Sequence, residues 1–304
     1  MTGPAVSDTP LVMRTTPWDD YALIDSGGGR KLERYGPYTV IRPEPQCLWR
    51  PALPEADWAG ADAVFDPSDE EDAGRWRFSR RLPETWTMAW RDVRFEGRFT
   101  AFRHLAVFPE QAANWAWIAD RLAGCGAQTR VLNLFGYTGV ASLTAAAAGA
   151  AVTHVDASKK AVGWARENAK ASGLEERPVR WICEDARHYV RREVKRGSRY
   201  HGIILDPPKY GRGPNGEVWR LHEDLPELLA GCVELLADDA SFLLLNAYSE
   251  RISGLALSGL LADAMSRRGG GALGGTIDWG ELALMEAGGQ RGVGLSFFAR
   301  WSAA

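Results

Sequence analysis

Val131-Leu132-Asn133-Leu134-Phe135-Gly136-Tyr137-Thr138-Gly139-Val140-Ala141-Ser142 is the stretch that decides the fold. A short apolar run passes into a turn with glycines three apart, and then into an alanine-rich segment able to form a helix. The pattern is a strand, a glycine loop and a helix. Glycine lets the backbone approach a ligand closely, and a helix N-terminus supplies unpaired N–H groups, so this arrangement cradles a nucleotide-like cofactor. The loop alone is a weak signal. Val152-Thr153-His154-Val155-Asp156 strengthens it, as a second strand ending in an acid roughly 20 residues after the loop, where a carboxylate binds ribose hydroxyls.

From Val131 onward, strand and helix patterns alternate, which predicts an α/β domain with a parallel sheet covered by helices on both faces. The expected strands are 130–134, 152–156, 179–183, 202–206 and 241–246. Ala161 to Ser172 has helical spacing and ends at Gly173, a residue suited to a left-handed cap. Trp181-Ile182-Cys183-Glu184-Asp185-Ala186 reads as a third strand ending in acid. Beyond residue 265 come two more apolar segments with a short connection, expected as an antiparallel closing pair.

Upstream the texture differs. Residues 1–17 carry little periodicity and read as a loose tail. Residues 18–110 show short β segments separated by turn chemistry such as Ser26-Gly27-Gly28-Gly29 and Gly36-Pro37, the pattern of a small β-rich domain. Trp18, Trp49, Trp58, Trp76, Trp86 and Trp90 fall there; core packing is the reading to prefer over stacking on RNA bases. Residues 66–72 form an acidic loop. Arg91, Arg94, Arg98 and Arg103, interleaved with Phe95, Phe99 and Phe102, suit either a solvated face or a polyanion-facing edge. Phe108-Pro109-Glu110-Gln111 leads into a helix and joins this module to the domain at 111–304.

Composition sets limits. Thirty-six Lys+Arg against 39 Asp+Glu give a net charge of -3, so any nucleic-acid contact must be regional. The four cysteines, Cys47, Cys125, Cys183 and Cys232, lie far apart, without the close pairs of zinc or redox motifs; no metal site is expected. Neither a secretory leader nor an apolar run near the ~20 residues of a membrane span is visible, which predicts a cytoplasmic protein with no membrane partner.

The second informative stretch is Gly202-Ile203-Ile204-Leu205-Asp206-Pro207-Pro208-Lys209-Tyr210. Two prolines cannot continue a central strand, so the chain leaves the carboxyl edge of the sheet in a stiff loop. Open α/β sheets place their ligands at that edge. A carboxylate and a carbonyl held there can accept hydrogen bonds from a flat heterocycle's N–H groups.

With these residues the sequence resembles the class I S-adenosylmethionine (SAM) methyltransferases, within them the 23S rRNA cytosine-C5 and guanine-N7 base methyltransferase family. The resemblance implies a Rossmann-like class I methyltransferase sheet with an antiparallel closing strand, plus a small β-rich N-terminal domain. It implies SAM as cofactor, held by Asn133, Phe135, Gly136, Tyr137, Thr138 and Gly139 at the methionine end, Asp156 and Ala157 at the ribose, and Asp185 and Ala186 at the adenine. Asp206, Pro207, Pro208, Lys209 and Tyr210 correspond to the catalytic loop, with Asp206 bordering the cofactor as well. The implied partner is RNA, ribosomal RNA foremost. Pro109-Glu110-Gln111 stands where better-known members have Asp-Gln-Arg, and their N-terminal RNA-binding module of the PUA type is not recognisable here.

Methylating cytosine C5 requires a cysteine thiolate to attack C6. The cytosine-C5 relatives carry it just past the next strand, where this chain reads Leu245-Asn246-Ala247-Tyr248-Ser249. Nitrogen methylation is therefore expected, since a nitrogen lone pair attacks SAM directly. Arg187, Arg191, Arg192, Lys195, Arg196 and Arg199, with Arg212 and Arg220, are either a solvated face or phosphate contacts. His154, His188, His201 and His222 read as structural. The competing functions are a SAM-dependent methyltransferase of a protein or small molecule, a nicotinamide-dependent dehydrogenase, which has no use for Asp-Pro-Pro, and a non-catalytic RNA-binding protein.

Overall fold

The computed structural model describes residues 3–68, 73–248, 252–271, 273–289 and 291–303; most of the acidic loop and Ser249 lie outside them. The chain divides into two compact units. One comprises residues 1–13, 114–281 and 296–304, and the other comprises 14–113 and 282–295. The smaller unit is therefore discontinuous, and differs from the expected 18–110 by taking a late segment of chain.

The larger unit is built on a nine-stranded sheet among the described residues. Its centre is five parallel strands in the order Val179–Cys183, Ala151–Asp156, Arg130–Leu134, Gly202–Leu205, Phe242–Ala247. In sequence terms this is third, second, first, fourth, fifth, so the order reverses between the first and fourth strands. Gly292–Ser302 then lies antiparallel to Phe242–Ala247, and Thr276–Met285 comes next.

The tail expected at 1–17 is a correction. Ala5–Val6 pairs in parallel with Thr276–Met285, through Ala5 N–H to Gly275 O at 3.0 Å and Ser7 N–H to Ile277 O at 2.9 Å, and Leu11–Thr15 pairs with the same strand. These are short edge strands whose side chains are largely exposed, so they bury too little apolar surface to leave a periodic signature.

The central strands read as unbroken apolar runs because both faces are covered. Leu132, Leu134, Ile203, Leu205, Leu243 and Leu245 face a core built with the helices Ala186–Lys195, Leu221–Glu234 and Gly254–Ser266. Their alternates Val131, Ile204, Phe242 and Leu244 pack on Ile118 of Ala112–Arg121, on Leu122 just after it, and on Ala145 and Ala146 of Val140–Ala147.

The smaller unit has a five-stranded sheet, Tyr21–Gly27, Arg30–Tyr35, Tyr38–Pro43, Ala63–Pro67 and Gly74–Phe78, and a hairpin, Thr85–Trp90 with Val93–Arg98. Trp58, Trp86 and Trp90 are buried, as core packing requires. Charge is buried too. Glu33 accepts from both Arg42 Nε and Nη2 at 2.7 Å and from the Tyr21 hydroxyl at 2.8 Å, with Lys31 Nζ 3.9 Å away. Burial opposes ionisation of Glu33, but the Arg42 and Lys31 charges prevail and pull its carboxyl down to about 2. Glu33→Ala strands the Arg42 guanidinium in the interior, while Lys31 keeps Glu44 Oε2 at 3.5 Å, and is expected to lower the unfolding free energy by about 3–5 kcal/mol in urea titration. A loss under about 1 kcal/mol would show that the guanidinium finds other partners.

Candidate functional site

The parallel strands deliver the candidate residues to one edge. Leu134 is in register with Val155 on one side and Leu205 on the other; Asp156 is opposite Cys183, and Leu205 opposite Leu245. The chain exits at Asp185, Asp156, Phe135, Asp206 and Asn246 consequently lie side by side, about 4.8 Å apart per strand. The crevice between Phe135 and Asp206 is where the strand order reverses, the position at which open α/β sheets bind ligands.

The glycine loop holds an unusual backbone. Phe135 (φ 57°) and Tyr137 (φ 49°) both adopt the left-handed region, as does Gly139 (φ 86°). Non-glycine residues there store strain, which surrounding structure must over-determine. Three contacts do so: Gly136 N–H donates to Val155 O at 3.1 Å, Tyr137 N–H to Asp156 Oδ2 at 2.8 Å, and Gly139 N–H to Gly136 O at 2.9 Å. Beneath the loop, a Cβ added at Gly136 would overlap the His154 imidazole. That ring is fully buried, its basicity pushed down to about 3 by burial, and its Nδ1 lies 3.0 Å from Ser142 Oγ, which accepts from Asn133 Nδ2 at 2.8 Å. Asn133 thus braces the loop from below; its side chain is spent on Ser142. Helix Val140–Ala147 starts from Gly139 without a side-chain cap, so its first N–H groups suit an anionic ligand group. The loop and this bare terminus fit the carboxylate end of an amino-acid-bearing cofactor.

The two acids on the neighbouring strands differ. Asp156 accepts Tyr137 N–H on one oxygen and Ser158 N–H on the other, each at 2.8 Å, keeping further lone pairs for a ribose. Burial raises its affinity for a proton, and the two N–H donors oppose that rise. The Ala157 carbonyl lies 3.6 Å from Cys183 Sγ. Asp185 caps helix Ala186–Lys195, accepting Arg187 N–H at 2.9 Å and His188 N–H at 3.2 Å, and Arg187 Nη2 meets its second oxygen at 3.3 Å. Expected as an adenine contact, its carboxylate is engaged as a helix cap.

Asp206 leaves the fourth strand beside Asn246, whose Nδ2 donates to Asp206 Oδ1 at 2.8 Å. Burial pushes the Asp206 carboxyl up to about 6, with the Asn246 amide pulling the other way. Trp219 Nε1 donates to Pro208 O at 2.7 Å, and its ring lies 4.9 Å from that of Phe135. The loop continues into a small hairpin, Tyr210–Arg212 against Val218–Arg220, closed by Leu221 N–H to Lys209 O at 3.0 Å. Pro207 is buried and Lys209 exposed. Tyr210 is half exposed, available to stack on a ligand.

Arg187 ties these pieces together. Besides Asp185, it donates to Asp224 Oδ1 at 2.7 Å and to Val218 O at 2.9 Å. The basic cluster read as possible phosphate contacts is for the most part paired with acids: Arg187 with Asp185 and Asp224, Arg191 with Glu227, Arg192 with Glu184, and Arg196 with Glu193. Ser142, Trp219 and Asn246 are site-supporting residues that sequence reasoning missed, whereas His154, read as structural, is buried beneath the loop. Only Asn246 had a local signal, as a polar residue closing an apolar strand. Among the described residues no cluster of His, Cys, Asp and Glu could hold a metal ion, and no helix is long and apolar enough to cross a membrane.

Comparison with known proteins agrees with this geometry. Residues 56–247 match the family model described as S-adenosylmethionine-dependent methyltransferase. The crystal structure of a SAM-dependent methyltransferase from Agrobacterium tumefaciens is 49% identical, with a TM-score of 0.93, over 100% of this chain and 96% of that one. The ribosomal RNA large subunit methyltransferase K/L of Shewanella frigidimarina is 29% identical over 156 residues, 51% of this chain and 21% of that protein. The ribosomal RNA large subunit methyltransferase K of Neisseria meningitidis is 32% identical over 112 residues, 36% of this chain and 32% of that protein. The chain thus spans a third or less of these two curated relatives.

Proposed function

The chain belongs to the S-adenosylmethionine-dependent methyltransferase family, and from that premise we propose that it methylates a nucleobase nitrogen in RNA, ribosomal RNA foremost. The carrying observation is Asp206, a carboxylate held up to about 6, fixed by Asn246 at the mouth of the loop that Trp219 pins. Bound SAM supplies an electrophilic methyl group. The glycine loop and the bare helix terminus would hold its methionine end, Asp156 its ribose, and the strand end at Asp185 and Ala186 its adenine.

The protein's own residues do the rest. Asp206 and the Pro207 carbonyl accept hydrogen bonds from an amino group and so aim its lone pair, while Tyr210 stacks on the base. As the nitrogen becomes positively charged, Asp206 is placed to take its proton. A carboxylate of about 6 is ionised at neutral pH yet more basic than an ordinary one, which suits that role. Cys232, the cysteine that follows the Asp-Pro-Pro loop, does not suit cysteine-dependent C5 chemistry: it is fully buried, and burial pushes its thiol up, away from the reactive thiolate. Partial relatedness to two ribosomal RNA methyltransferases supports RNA as substrate, and with it a cytoplasmic site of action.

The test is transfer of tritium from labelled SAM to rRNA from a strain deleted for the gene, followed by nucleoside digestion. Label in one nucleoside, absent with Asp206→Ala, is the expected outcome. No label in RNA, with SAM still bound, would overturn the RNA reading in favour of a protein or small-molecule acceptor.

A further inference from the structure

Arg187 lies between the strand end at Asp185 and the hairpin of the catalytic loop. It belongs to the first turn of Ala186–Lys195, and its guanidinium reaches both ways from there. Toward the strand end, Nε and Nη2 each lie 3.3 Å from an Asp185 carboxylate oxygen. Toward the loop, Nη2 donates to Val218 O at 2.9 Å and Nη1 to Asp224 Oδ1 at 2.7 Å, while Cζ stands 5.9 Å from the centre of the Trp219 ring. The side chain is only 17% exposed, so water weakens these ion pairs little. The next residue repeats the pattern, with His188 Nδ1 3.4 Å from Glu217 Oε1. One helical turn thus grips the returning strand Val218–Arg220 and the helix that follows it.

The hairpin needs that grip. Each of its strands is three residues long, and a two-stranded ribbon so short is marginal in water by itself. Local bonds close its turn, Gly213 N–H to Glu217 O at 2.8 Å and Asn215 N–H to Glu217 Oε2 at 2.9 Å. They fix the turn's shape, not its place. Place comes from anchors to the body of the unit, among them Trp219 on Pro208 O, Asp224 Oδ2 accepting Arg220 N–H at 2.6 Å, and Arg187. Of these, Arg187 also touches Asp185. A ligand packed on Asp185 and Ala186 restrains the helical turn that follows them, and with it the guanidinium, the hairpin and Tyr210 at the hairpin's first position. Order imposed by the cofactor is order that the methyl acceptor no longer has to impose.

We propose that Arg187 is a positioning residue for methyl transfer, joining the cofactor's adenine seat to the hairpin that carries Tyr210, so that a filled cofactor site stiffens the hairpin before the acceptor arrives. The inference rests on the placement of the adenine at Asp185 and Ala186, and it holds whether or not the acceptor is RNA. Three acceptors on one side chain explain why the residue is arginine, whose rigid fork of donors a lysine ammonium does not reproduce.

Hydrogen–deuterium exchange read by mass spectrometry on the whole chain, with and without saturating S-adenosylhomocysteine, is the test. In the parent, the ligand should slow exchange in the peptide spanning 209–221 by ~5-fold or more, and also protect the peptides spanning 135–139 and 183–188. In Arg187→Met the hairpin should exchange faster, and the ligand should change its rate by less than about twofold while still protecting 135–139. The ligand's dissociation constant should stay within about threefold, because a hairpin closed most of the time in both proteins adds little to the binding equilibrium. Asp224→Ala leaves the contact with Asp185 in place and should show the same loss of response, which decides the matter if Arg187→Met does not fold. An arginine that merely holds the structure together would speed hairpin exchange by one factor with and without ligand, and that result overturns the proposal. So does a parent hairpin indifferent to ligand while 135–139 and 183–188 are protected, an outcome that leaves the cofactor placement standing. Protection at 135–139 without protection at 183–188 removes the adenine placement, and the inference falls with it.

Discussion

Asp206→Asn is expected to lower kcat by ~10²-fold or more while the dissociation constant for SAM stays within about threefold. The substitution keeps shape and one acceptor oxygen but removes the group that takes the proton. In the parent, burial raises the Asp206 carboxyl to about 6, so kcat should climb between pH 5 and 7 and stand near a tenth of its plateau at pH 5. The same shift affects stability. A carboxyl whose folded value lies above its unfolded value favours the folded state at low pH, and that advantage is lost as pH rises through about 6. Asparagine carries no charge to desolvate, so the variant should melt above the parent at pH 8 and level with it near pH 4. A variant that stays active, or a kcat profile flat from pH 5 to 8, would remove Asp206 from the proton path.

Gly136→Ala is expected to weaken SAM binding by ~30-fold or more. The new methyl group would occupy the space of the His154 ring, which is buried and anchored to Ser142, so the loop must move instead. Movement there disturbs the left-handed Phe135 and Tyr137 and the hydrogen bond from Tyr137 to Asp156. Because the conflict is with one side chain, Gly136→Ala combined with His154→Ala should recover much of the lost affinity, a coupling that calorimetry on the four proteins of a double-mutant cycle would measure. Additive losses would mean that Gly136 serves the loop for a reason other than His154.

Arg130–Leu134, Gly202–Leu205 and Phe242–Ala247 were legible because burial on both faces writes a largely apolar run into the sequence, and Asp206 because two prolines announce where such a run must stop. Trp219 was not. It lies 11 residues beyond the Pro208 carbonyl it binds, and only the hairpin brings it back. Arg187 looked like any member of a basic cluster, since nothing local shows that Asp224, 37 residues on, will meet it. His154 carried no signal either: its partner is a glycine that tells only of a missing side chain. The edge strands at 5–6 and 11–15 were invisible for a different reason. Backbone pairing holds them, and backbone pairing leaves little trace in side-chain pattern.

The late segment 282–295 bears on how the chain is made. Ser26 Oγ donates to Glu286 Oε1 at 2.6 Å, Arg291 pairs with both Asp25 and Glu286, and Ala5–Val6 pairs with Thr276–Met285. Each unit opens with residues whose partners are translated about 260 residues later. At ribosomal speeds of 5–20 residues per second, the nascent N-terminal sheet waits roughly 10–40 s between leaving the tunnel and meeting segment 282–295. Through that interval Asp25 has its early donors, the Ser26, Ala52 and Leu53 N–H groups and the Trp58 indole, but not Arg291, and the Ser26 hydroxyl lacks Glu286, so water must take those two places until segment 282–295 is made.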